Sequence, residues 1–146
     1  MQGWIGHAAP FGFSDRYEPA AGIPRFLTGT PPVLGLAALE AGIDLMLTAD
    51  LAAVWEKSAR LFDLFASRVA SARPRLELLT PPEANLRGSH IAFRCADAAQ
   101  IMPQLVGQGV IGDFRPPDVL RFGLTPLFTS FEDVWLASDA LLQCAS

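Results

Sequence analysis

Gly109-Val-Ile-Gly-Asp-Phe-Arg-Pro-Pro-Asp-Val-Leu-Arg-Phe-Gly123 is the stretch on which the fold turns. Arg115-Pro116-Pro117-Asp118 is a turn by composition, because proline and aspartate favour bends. Val110–Gly112 and Val119–Phe122 on either side read as two short strands, so the pair is a hairpin. Working upstream, Ala96 to Val106 reads as a short helix closed by Gly107. Leu76–Leu79 and His90–Arg94 read as strands flanking the turn-rich Thr80–Gly88. Downstream, Ser130-Phe-Glu-Asp133 has the form of a capping box and opens a last helix through Leu142. This order implies a small α/β layer, a short, largely antiparallel sheet covered by helices.

Two further helices precede this layer. Thr30-Pro31-Pro32 reads as a helix start, with Thr30 able to cap and proline suited to the first turn. Val33 to about Thr48 is apolar nearly all round, which implies a helix buried on several sides. Asp50 caps a second helix that runs to about Ser71 and ends before the break at Pro74. Leu51, Val54, Leu61, Phe62, Phe65 and Val69 point inward, and Glu56, Lys57, Arg60, Asp63 and Arg68 mostly outward. The first thirty residues are punctuated by Pro and Gly. Phe11, Phe13, Tyr17 and Phe26 among them imply an ordered loop that buries its aromatics.

Composition bounds the function. The chain has 146 residues, and its apolar share with glycine included is about 59%, against about 45–50% in ordinary soluble domains. Either the composition is alanine- and leucine-rich, or part of the surface is normally covered by another domain or subunit. The longest stretches without acidic or basic residues, Phe26–Leu39 and Ala98–Gly112, fall short of the ~18–20 residues of a membrane span. The N-terminus lacks the features of a signal peptide. A net charge of −4 without a basic run favours neither nucleic acid nor anionic lipid. Cys95 and Cys144 are isolated, as expected of free thiols in a cytoplasmic protein, and no metal-binding spacing occurs.

No self-contained catalytic set is visible. His7 and His90 are far apart, and no serine has a neighbouring base. Three residues are candidates for binding. Thr30, with the Gly29 and Thr30 amides, stands at a helix start where an anion is favoured, unless it simply caps the helix. Trp4 offers one N–H and a broad ring, for a phosphate oxygen, an aromatic substrate or plain packing. Arg121, in a strand-like run, calls for a carboxylate or phosphate partner, with Asp113 or Asp118 as internal alternatives.

Gly3-Trp-Ile-Gly-His7, Gly29-Thr-Pro-Pro32, Arg87-Gly-Ser-His90, Gly109–Arg115, Leu120-Arg-Phe-Gly-Leu-Thr-Pro-Leu127 and Phe131-Glu-Asp-Val-Trp135 occur in collinear order. Together they closely resemble the C-terminal part of kynureninases, over essentially the whole chain. The resemblance implies a homodimeric hydrolase of fold type I that depends on pyridoxal 5'-phosphate. Such an enzyme cleaves kynurenine or 3-hydroxykynurenine to anthranilate or 3-hydroxyanthranilate plus L-alanine, in tryptophan catabolism and NAD biosynthesis. It implies that residues 1–48 end the large cofactor-binding domain and residues 49–146 form the small domain. Trp4 and Thr30 match positions that contact the cofactor phosphate across the dimer interface, and Arg121 matches the arginine that holds the substrate α-carboxylate. Ile5 departs from relatives that carry phenylalanine there.

The lysine count limits the activity. Lys57 is the only lysine, and it lies on the charged side of a helix beside Glu56 and Arg60. A catalytic lysine needs desolvation or a cationic neighbour in a pocket. The family's Schiff-base lysine matches a position upstream of Gly3, so no catalytic residue is assigned here and the site is partial. The expectation is a kynureninase C-terminal part, inactive alone. The competing reading is a truncated remnant or interaction module that retained the fold. A cysteine desulfurase-like relative is disfavoured by Gly3–His7.

Overall fold

The structure is a computed structural model that describes residues 3–70 and 75–146. The chain divides into two compact units, Met1–Ala49 and Asp50–Ser146.

The second unit is built on a four-stranded antiparallel sheet. Its strands are β1 (Glu77–Leu78), β2 (His90–Arg94), β3 (Asp113–Arg115) and β4 (Val119–Gly123), in the order β1-β2-β4-β3. The α/β expectation of a short antiparallel sheet under helices is met. Helices α2 (Leu51–Val69), α3 (Ala98–Gly107) and α4 (Phe131–Cys144) complete the unit. Strand alternation divides the faces: Leu120 and Phe122 are buried, whereas Val119 and Arg121 are only half-buried. The core gathers Leu61 and Phe65 from α2, Ile91 and Phe93 from β2, Leu105 from α3 and Leu141 from α4. The Phe65 ring lies 5.7 Å from that of Phe93 and 5.3 Å from that of Phe122. Aromatic pairs at this spacing add to what burial alone supplies.

Local chemistry starts the helices where expected. The Asp50 carboxylate accepts from the Ala52 amide at 2.9 Å and caps α2. At α4 the Ser130 hydroxyl accepts from the Asp133 amide (3.0 Å) while Asp133 accepts from the Ser130 amide (2.7 Å), a reciprocal capping box. Arg68 of α2 lies over the Trp135 ring of α4, 3.2 Å from its centroid, and pairs with Asp139. The side chain is therefore packed rather than outward. Leu51, expected inward, is exposed. The expected end of α2 near Ser71 and the break at Pro74 lie outside the described residues.

The hairpin differs from expectation in its first strand. Pairing runs Arg115↔Val119, Phe114↔Leu120 and Asp113↔Arg121, so the strand is 113–115 rather than 110–112. The tight turn at Pro116–Asp118 sets that register. Val110 is used elsewhere, its amide donating to the Leu105 carbonyl at 2.9 Å to close α3. Gly112 lies against the Arg121 carbonyl and the Phe122 ring.

The first unit holds 3-10 turns at Trp4–Gly6, Pro10–Gly12 and Ile23–Phe26, followed by α1 (Val33–Leu47). Backbone bonds order the loop: the Ala8 amide donates to Glu18 (2.7 Å) and the Ala20 amide to Gly6 (2.9 Å). Burial does not, because Phe11, Phe13 and Phe26 are exposed. Of the four aromatics named for this loop only Tyr17 is half-buried, its hydroxyl donating to the Gly6 carbonyl. The expectation for α1 is also corrected: none of its residues is buried, and Leu34 is 88% exposed. A helix apolar all round needs apolar neighbours on every side, and turns this short do not supply them.

Candidate functional site

Arg121 stands on β4 directly across from Asp113 on β3 and from Ala92 on β2. The antiparallel register chooses its partner. Arg121 Nε donates to Asp113 Oδ1 at 3.0 Å, and Nη2 donates to Oδ2 at 2.7 Å, a bidentate fork. Asp118, the other candidate, lies 3.5 Å from Arg94 instead. Arg115 adds a second cation, with Nε at 3.0 Å and Nη2 at 2.9 Å from Asp113 Oδ2. The hydrogen bond from Arg121 holds the Asp113 carboxyl below the usual carboxylate range; burial is the next influence and opposes it, and the charge of Arg115 helps. The bond to Asp113 in turn pushes Arg121 further up, so it is a permanent cation.

Asp113 and Arg121 line an open cleft of about 350 Å³ with His90, Ile111, Gly112 and Gly123, and Arg115 reaches it only through its bond to Asp113. Two arginines and one aspartate leave this group with one net positive charge. Nη1 of Arg121 makes no hydrogen bond among the described residues, so one edge of the guanidinium remains available. A cleft of this kind suits a monoanionic carboxylate. The second cation on Asp113 escaped the sequence reading, although the Asp113-Phe-Arg115 spacing on one strand face is the signal for it.

Trp4 and Thr30 belong to the first unit. The turn carrying Trp4 lies flat on the segment 25–28. A Cβ on Gly3 would overlap the Thr28 backbone, and one on Gly6 would overlap the Arg25 carbonyl. The Gly-Trp-x-Gly spacing thus permits a backbone approach that any side chain would block. Trp4 is half exposed, with its ring edge-on to Phe11 at 5.7 Å. Thr30 does not cap α1. Pro32 is the N-cap residue and makes no side-chain bond, because the prolines displace the helix start by two residues. The Thr30 hydroxyl and the Gly29 and Thr30 amides have no hydrogen-bond partner among the described residues.

Lys57 departs from its expected outward orientation. Its ammonium donates to the Pro126 carbonyl at 2.7 Å and is half-buried, whereas Glu56 and Arg60 form an exposed pair 3.8 Å apart. Among the described residues no cluster of His, Cys, Asp or Glu is placed to hold a metal ion. Cys95 and Cys144 are free, and no described helix is long and apolar enough to cross a membrane.

Comparison with known proteins gives this geometry its context. Residues 54–141 match the family model for the kynureninase C-terminal domain. The chain belongs to the kynureninase family. Over 143 residues it is 43% identical to the kynureninase of Pseudomonas fluorescens, which covers 97% of this chain and 34% of that protein. The same figures hold for the kynureninases of Burkholderia mallei (strain SAVP1) and Burkholderia pseudomallei (strain K96243). The chain therefore spans about a third of the length of the curated relatives it matches. The region matched to the kynureninase C-terminal domain contains Lys57 and every residue that lines the cleft beside Arg121.

Proposed function

We propose that this chain is the C-terminal part of a pyridoxal-phosphate-dependent kynureninase, which hydrolyses kynurenine or 3-hydroxykynurenine to an anthranilate and L-alanine. The observation that carries the reading is Arg121, a paired but still open guanidinium on the wall of a cleft, in a group with Asp113 and Arg115 that carries one net positive charge. That chemistry fits the α-carboxylate of an amino-acid substrate. Arg121 would fix the orientation of the substrate, which lowers the entropic part of the barrier.

The first unit fits the phosphate of the cofactor. Its free donors, the Trp4 indole N–H, the Thr30 hydroxyl and the Gly29 and Thr30 amides, are what phosphate oxygens accept from. When bound, the cofactor supplies the electron sink for the carbon-carbon cleavage. In this reading residues 1–48 belong to the large domain and 49–146 to the small one. Donation from Trp4 and Thr30 crosses a homodimer interface. The place in tryptophan catabolism and NAD biosynthesis and the cytoplasmic location follow from the same assignment.

The test uses the complete enzyme that carries this segment. Arg121→Lys is expected to raise KM for kynurenine on the order of tenfold or more, because a point charge replaces a fork. Thr30→Ala and Trp4→Phe are expected to raise the cofactor concentration needed for half-maximal activity. An enzyme that releases no anthranilate from kynurenine would end the proposal. The 146-residue chain alone is expected to give neither anthranilate nor a borohydride-stable cofactor adduct, since its one lysine is held by Pro126. A stoichiometric adduct on Lys57 would contradict that.

A further inference from the structure

We propose that Asp113 is the positioning residue for Arg121: it grips one edge of the guanidinium and thereby presents the other, end-on edge to the substrate carboxylate. This rests on the kynureninase reading above and adds a residue and a binding geometry to it. An arginine has two edges that can each take a carboxylate. The side edge offers Nε–H with one hydrogen of Nη2, and the end edge offers Nη1–H with the other hydrogen of Nη2. Asp113 occupies the side edge, Oδ1 on Nε at 3.0 Å and Oδ2 on Nη2 at 2.7 Å. The end edge has no partner among the described residues.

Two observations favour positioning over blocking. Asp113 is not Arg121's alone, because Arg115 donates to its Oδ2 through Nε at 3.0 Å and approaches through Nη2 at 2.9 Å. Arg115 therefore anchors the carboxylate that anchors Arg121, and the two arginines with one aspartate keep a single positive charge for an incoming monoanion. The strand register adds rigidity, since Asp113 and Arg121 are directly opposed on paired strands. A flexible arginine on the surface of a sheet samples many rotamers. One clamped along its side edge samples few, so less entropy is lost when the substrate binds.

The experiment compares the complete, cofactor-loaded enzyme with Asp113→Asn, Arg121→Lys and the double variant. Steady-state kinetics on kynurenine are paired with inhibition constants for two probes. Desaminokynurenine keeps the carboxylate and the ring amine but has no α-amine to react with the cofactor, and ortho-aminopropiophenone is the same aryl ketone without the carboxylate. Asp113→Asn is expected to raise KM and the inhibition constant of the carboxylate probe on the order of 10- to 100-fold, with kcat changed less. It should leave the carboxylate-free probe unchanged. In the Arg121→Lys background, where no fork remains to be held, Asp113→Asn should add less than about twofold.

An unchanged KM in a folded Asp113→Asn enzyme overturns the proposal, as does an equal loss with both probes. A lowered KM also overturns it, because Asp113 would then be a competitor for the fork. If Asp113→Asn melts out, Asp113→Glu shifts the carboxylate by one methylene with its charge intact and is read by the same probe ratio. A wild-type enzyme without kynurenine cleavage takes down the family-based function as well, so the two failures are distinguishable.

Discussion

Placing a methyl group on Gly112 tests the packing that carries Arg121. A Cβ there would sit 2.8 Å from the Arg121 carbonyl oxygen and 2.8 and 2.9 Å from two carbons of the Phe122 ring, where ordinary contact begins near 3.4 Å. A gap of about 0.6 Å must be found, and neither neighbour is a loose end. The carbonyl belongs to β4, held between β2 and β3. The ring is buried against Phe65. Overpacking of this kind costs about 1–3 kcal/mol. For a unit of about a hundred residues that is a fall in melting temperature of roughly 5–20 °C. Circular dichroism of Gly112→Ala measures it directly. Gly123→Ala is the control, since a Cβ there meets nothing within 4 Å. It should stay within about 0.5 kcal/mol of the parent. In the complete enzyme Gly112→Ala should also raise KM for kynurenine, because β4 shifts relative to Asp113. A Gly112→Ala variant melting within about a degree of the parent would refute the close packing of residue 112 on β4.

Two further outcomes follow from the same unit. Phe65→Ala opens a void beside Phe93 and Phe122; urea unfolding should show a loss of about 3–5 kcal/mol, and a loss below about 1 kcal/mol would mean the core is not centred there. Ser130→Ala removes the hydroxyl half of the α4 capping box and should cost about 1 kcal/mol. The Asp133 carboxyl is lowered from 3.8 by the Ser130 backbone bond first and the Ser130 hydroxyl second, with Lys57 assisting and burial opposing. A carboxyl lowered on folding stabilises above its unfolded value, and the contribution disappears as pH falls through the folded one. Thermal melts below about pH 4 should therefore fall more steeply in the parent than in Ser130→Ala, and parallel slopes would contradict the assignment.

What could be read from the sequence was what short-range chemistry decides. The caps at Asp50 and Ser130 are written in adjacent residues, and both form. Strand β4 is long enough for alternation to show, and β2 is marked by its apolar centre Ile91-Ala92-Phe93. The strand before the turn was misplaced because its position depends on Val110 closing α3 and on Gly112 packing against β4, contacts no local pattern encodes. Lys57 was misread for a similar reason. Its helix face looks charged, but the carbonyl that receives it lies 69 residues away. The choice of Asp113 over Asp118 for Arg121 needed the register. The glycines of Gly3-Trp-Ile-Gly6 could be matched to a family, yet the reason for them is a backbone approach visible only in three dimensions.

The exposed helix α1 sets a timetable. Asp50–Ser146 encloses its own core and can close as soon as its residues are available. Val33–Leu47 has fifteen residues, none of them buried, and an isolated helix of that length is marginal in water. In the proposed kynureninase its order would come from the rest of the enzyme packing over it, after the second unit has closed. Until then Leu34, Leu39, Leu45 and Leu47 stay open to water, and an apolar surface of that kind is where association with other chains begins.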